Sequence, residues 1–112
     1  MGHVENIVAM FKQDPSLYSL TGDLLRDERY SVRLGMAVLF EELALASGAA
    51  LSMAIPSLLP LLQEKSPSLR GEAATLLGII HTDEVMRHLQ PLSHDSDPQV
   101  AEIAQDILDG WQ

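Results

Sequence analysis

Cysteine is absent from this 112-residue chain, which excludes disulfides, thiolate metal sites and thiol catalysis within it. A reducing, cytoplasmic setting is the expectation that follows. Aromatic residues are scarce, at 4 %, so the core must be built from Leu, Ile, Val, Met and Ala, which suits closely packed helices. Positive charge is scarce as well. Seven Lys and Arg face sixteen Asp and Glu, the net charge is −9, and no Lys or Arg follows Arg87. Phosphate groups are held by clustered cations, so nucleic acid and anionic membrane are not expected as partners. No apolar run approaches the roughly 20 residues of a membrane span, and the N-terminus has no basic-then-apolar signal pattern. Strand-like alternation, Gly-rich phosphate loops and nucleophile elbows are also missing.

What the chain does have is internal repetition. Leu69-Arg70-Gly71-Glu72-Ala73-Ala74-Thr75-Leu76-Leu77-Gly78 aligns with 32–41 and with 100–109. Val32, Leu69 and Val100 open the three copies, 37 and then 31 residues apart, a spacing that signals stacked helical hairpins. Leu39, Leu76 and Ile107 recur at one place, and Phe40, Leu77 and Leu108 at the next. Upstream of each anchor come an acid (Asp27, Glu64, Asp95) and, in the later copies, prolines: Pro60 and Pro91, then Pro67 and Pro98.

Helical periodicity predicts seven helices and an all-α domain. The first spans about His3 to Lys12, with Val4, Ile7, Val8 and Phe11 on one face. Pro15 opens the second, which reaches Arg26. The third runs from Ser31 to about Ala46, where Ser47-Gly48 reads as a stop, and 49–53 reads as a loose connection. The others are Ala54 to Glu64, bent at Pro60, then Pro67 to Ile80, Asp83 to Leu92 and Asp97 to Trp111. Gly35, Ala73, Ala74 and Ala104 are expected where helices approach closely. The last helix should turn Val100, Ile103, Ala104, Ile107, Leu108 and Trp111 inward and Glu102, Gln105, Asp106 and Asp109 to water, as a polar cap. One domain results, 1–112, with a cap helix over 1–14 and hairpins over 15–47, 48–81 and 82–112.

Over Leu17 to Leu108 the pattern resembles HEAT and HEAT-like repeats: an acidic turn, Pro before the anchor, Val/Leu-Arg, small residues and a Leu pair. Val32-Arg33 and Leu69-Arg70 meet it; the third copy has Ala101 in place of Arg. The resemblance implies a short right-handed α-solenoid and a ladder between adjacent repeats formed by Asp27, Arg33, Glu64, Arg70 and Asp95. A narrower resemblance, through Val32 to Val38 and Leu69-Arg70-Gly71, is to helical repeat modules attached to bacterial thioredoxin-like proteins. That implies an accessory domain of a larger redox protein, although no Cys-x-x-Cys is present here. HEAT-repeat hydroxylases carry His-Glu pairs that bind iron. The corresponding places here hold Leu34-Gly35, Gly71-Glu72 and Glu102-Ile103, and nothing specific to the bilin lyases is present.

His81, His88 and His94 lack the spacing of a converging zinc set, and Ser31, Ser66, Ser68 and Ser96 fall where hydroxyls cap helices. The expectation is therefore a non-enzymatic protein-interaction or scaffold module without metal or cofactor. Its partner is another protein or a second copy of itself. One helix marks where that partner would sit. The third is apolar nearly all round: Val32, Met36, Leu39, Phe40 and Leu43 form its core face, while Leu34, Val38 and Leu45, with Glu41 among them, form a separate stripe. Either the N-terminal helix covers that stripe or a partner does.

Overall fold

The computed structural model describes residues 2–26 and 30–111, and the side chains of 6–26, 35–46 and 48–111. All regular structure among them is helical. Helix α1 is Gly2–Gln13; a 3-10 segment, Pro15–Leu20, leads into α2, Thr21–Leu25; α3 is Tyr30–Leu51. A 3-10 turn at Ser52–Ala54 precedes α4, Ile55–Leu58, which tightens into 3-10 geometry over Leu59–Gln63. Helix α5 is Pro67–Ile80, α6 is Asp83–Leu89 with a 3-10 segment at Pro91–His94, and α7 is Pro98–Asp109.

Local chemistry sets these boundaries. The Ser66 hydroxyl accepts the Leu69 amide at 3.3 Å, and Pro67 occupies the first turn of α5. Thr82 accepts the Val85 amide at 3.2 Å to start α6. Asp97, not Ser96, caps α7, its carboxylate accepting from the amides of Gln99 at 2.9 Å and Val100 at 3.2 Å. These side chains satisfy amides that have no partner inside the helix. Helix α5 ends at His81, whose left-handed φ of 57° halts the spiral. The expected second, fourth and sixth helices are each part 3-10. Pro15, Pro60 and Pro91 stand at the start of those 3-10 segments, because proline has no amide to continue an i→i−4 ladder.

The predicted stop at Ser47-Gly48 is overturned. Helix α3 runs through Gly48 to Leu51, so the expected loose connection at 49–53 is helical and a hairpin boundary at 47 falls inside α3. The reason is local. Gly48 keeps a negative φ, the flanking Ala44, Ala46, Ala49 and Ala50 favour helix, and fully buried Leu51 anchors the last turn.

Helix α3 packs on both α1 and α5, and α5 packs on both α3 and α7. The 3-10 segment 15–20 and α2 contact α4, while the segments around α4 and α6 back onto α5 and α7. One continuous core joins them. Phe40, Leu43, Leu58, Leu61, Leu77, Val85, Met86 and Leu89 are fully buried, and so are Ala73, Ala74 and Ala104. At the N-terminal end Phe11 meets Tyr18 edge-on, ring centroids 4.9 Å apart. At the other end Val100 and Ala104 are buried, Ile103, Ile107, Leu108 and Trp111 pack against the core, and Glu102, Gln105, Asp106 and Asp109 are exposed.

Gly35 does not serve close packing. It is exposed, and a Cβ there would meet nothing within 4 Å; the same holds for exposed Gly48. The close approaches lie elsewhere: a Cβ on Gly78 would stand 2.8 Å from Ile107 and one on Gly71 3.1 Å from Ile103, both on α7. Glycine inside an exposed helix costs about 0.5–1 kcal/mol relative to alanine. Gly35→Ala and Gly48→Ala are therefore each expected to stabilise the domain by about that amount. Urea midpoints would show it; a lowered midpoint for either would mean that face is occupied.

Candidate functional site

Arg70, in the first turn of α5, ties that helix to the turns before α5 and α7. Its Nε and Nη2 donate to the two carboxylate oxygens of Asp95 at 2.9 and 2.8 Å, a bidentate, largely buried pair. Its Nη1 donates to the carbonyls of Glu64 at 2.7 Å and Lys65 at 3.1 Å, closing the turn before α5. Asp95 also accepts the Asp97 amide at 2.9 Å, and so organises the turn before α7. The hydrogen bond from Arg70 holds the Asp95 carboxyl below its ordinary range, and the same bond raises the guanidinium above its own. Fork-to-fork geometry of this kind is both strong and directional.

Glu64, which follows the 3-10 stretch after α4, forms an ion pair with Arg26 at the end of α2. Arg26 stands six residues before its anchor, where the later copies have Gln63 and His94, so repeat register could not single it out. Asp27 lies outside the described residues, as do the side chains of Arg33 and Leu34.

The rest of the α3 stripe is open to solvent. Val38 is 43 % and Leu45 86 % exposed, with exposed Glu41 between them. Helix α1 does not cover them. It turns Phe11 and half-buried Val8 to the core and leaves its own Ile7 and Met10 exposed. Gly71 and Thr75 stand in α5 where α3 has Leu34 and Val38, and they line a groove between α5 and α7 with half-buried Glu72 and Ile103 and buried Val100. The corresponding face thus passes from apolar on α3 to acidic on α7, where Glu102 and Asp106 are exposed.

Among the described residues no three His, Asp or Glu side chains gather as a metal site would require, and no helix is long and apolar enough to cross a membrane. His81 ends α5, while His88 and His94 are exposed in separate segments. Compared with protein-family models, curated proteins and solved structures, the chain matches none.

Proposed function

We propose that the chain is a short right-handed HEAT-like α-solenoid, a cap helix followed by three hairpins, acting as a non-enzymatic protein-interaction module. Supporting the architecture are the successive contacts of α1, α3, α5 and α7 and the ion pairs Arg26–Glu64 and Arg70–Asp95, each linking one hairpin to the next. Nearest-neighbour stacking of this kind produces one extended, rigid surface.

The observation that carries the functional reading is the exposed apolar stripe of α3. A side chain such as Leu45, 86 % exposed, adds almost nothing to the stability of the isolated domain. Burying one of its size against a partner contributes about 1.5–3 kcal/mol. Its neighbours Ala46 and Ala49 are small and exposed, which lets a partner approach the α3 backbone. The partner surface that fits is apolar opposite α3 and basic opposite the acidic flank of α7.

Val38→Ser combined with Leu45→Ser is the direct test. Thermal melting should stay within about 0.5 kcal/mol of the parent, as for surface changes in general. Self-association in sedimentation equilibrium, or capture of the proteins that the parent retains from cell extract, should be lost. Unchanged association and capture would remove α3 from the binding surface, and a large fall in melting temperature would make the stripe part of the core.

A further inference from the structure

A second groove, about 680 Å3 in volume, lies between the segments around α4 and α6, on elements other than α3. Its base is apolar: Leu62 and Leu92 are buried and Leu59 half-buried. Pro56, Pro60 and Pro91 form its rims. Pro60 and Pro91 are equivalent positions of adjacent repeats, so the groove is a product of the repeat itself. Proline rings carry no amide donor and move little, which keeps such a surface apolar and preformed.

Its charge sets it apart from the rest of the molecule. The chain has a net charge of −9, yet no Asp or Glu lines this groove, while Arg87 and His88 do. Both are exposed in the last turn of α6, and the acids of that helix, Asp83 and Glu84, are in its first turn. Arg26 and Arg70 are taken up by Glu64 and Asp95; Arg87 forms no ion pair or hydrogen bond among the described residues. An exposed Gln63 amide at the same groove offers both donor and acceptor to a peptide backbone.

We infer that this groove binds a short extended segment of a partner protein that carries leucine-sized residues at every second position and an Asp or Glu on the same face. The apolar side chains lie over Leu59, Leu62 and Leu92 between the proline rims. A carboxylate takes the free Arg87 guanidinium in a charge-assisted, two-point contact. The site works whether or not the α3 stripe has a partner of its own.

The test is an NMR titration of the full chain with an N-acetylated, C-amidated hexapeptide. Leucine stands at its first and third positions, aspartate at the fifth and serine at the others, so that the leucines and the acid share one face when the peptide is extended. A counterpart with lysine in place of aspartate serves as control, and the blocked ends leave the aspartate side chain as the sole carboxylate. Saturable amide shifts at Gln63, Arg87, His88 and Leu92 are expected with the aspartate peptide only. Arg87→Glu should weaken binding by about tenfold or more and Arg87→Gln by less; an exposed position leaves the fold, checked by circular dichroism, intact. The inference is overturned by no saturable shift up to about 1 mM peptide, by an equal response to both peptides, by shifts confined to α3, or by unaltered affinity in Arg87→Glu.

Discussion

Gly22→Ala is expected to be the most damaging single-methyl change in the domain. A Cβ at this position would stand 2.2 Å from the carbonyl oxygen of Ser57 and 3.0 Å from its carbonyl carbon. Both are backbone atoms, so no rotamer change relieves the clash, and α2 must lift away from α4. That movement also opens a small polar joint. The buried Thr21 hydroxyl donates to the Tyr18 carbonyl at 2.8 Å and lies 2.8 Å from the Ser57 hydroxyl, which accepts the Gly22 amide at 3.2 Å. Overpacking at a rigid contact costs about 3 kcal/mol at the upper end of its usual range, which corresponds to a fall in melting temperature on the order of 10 °C for a domain of this size. The same substitution at Gly35 or Gly48 is expected to act in the opposite direction, so the three variants form an internally controlled set. Wild-type-like melting of Gly22→Ala would mean that α2 and α4 do not cross in contact.

Arg70→Met is expected to have the second largest effect, and one that depends on pH. It removes the donors of four hydrogen bonds, two to Asp95 and one each to the Glu64 and Lys65 carbonyls, while keeping the length of the side chain. Removing one partner of a largely buried pair leaves the other carboxylate without its counter-charge. The Asp95 carboxyl is held below its ordinary range by Arg70. The stability this linkage supplies is thus complete above the unfolded value of about 3.9 and fades as pH falls through the lower folded value. Arg70 is shifted upward, so its own contribution is complete throughout acid and neutral solution. Urea unfolding from pH 7 down to about pH 2 should show the wild-type advantage over Arg70→Met shrinking below about pH 4. Parallel curves over that whole range would mean that the pair contributes nothing to the fold.

How far the sequence could be read is clearest from contrasting elements. Helix α5 was legible to the residue, from Pro67 to Ile80, because Ser66 and Pro67 mark its start and the apolar period is unbroken. Helix α3 was not, because Ser47-Gly48 resembles a stop and only the buried anchor at Leu51 carries the helix past it. The 3-10 stretches beginning at the prolines were foreseen as a bend at Pro60 alone, since a missing amide weakens a helix without dictating how the chain re-pairs. Among glycines small size alone misled. Gly35 is expected at a helix contact, yet it stands where the later copies have Glu72 and Ile103 and faces open space, while Gly22, which matters most, has no counterpart in the repeated block. Alignment relates positions along the chain; it does not report how each helix is rotated against its neighbours. The α3 stripe was visible as a pattern, but its exposure depends on where α1 settles, which is decided by Val8 and Phe11 packing inward. Arg26 and the Arg87 groove gave no sequence signal beyond scarce cations, because their meaning arises only when distant segments come together.

Trp111 is the sole tryptophan of the chain, and its indole N–H donates to the Asp83 carboxylate at 3.1 Å. It therefore fastens the residues after α7 to the first turn of α6, half-buried against the core. This placement makes the contact between α6 and the residues after α7 self-reporting: when it opens, the indole passes into water and its fluorescence moves to the red. Tyr18 is buried against Phe11 of α1, well apart from Trp111 in sequence. Indole fluorescence therefore reports the packing of α6 and of the residues after α7 without any added label, separately from the Phe11–Tyr18 contact that holds α1.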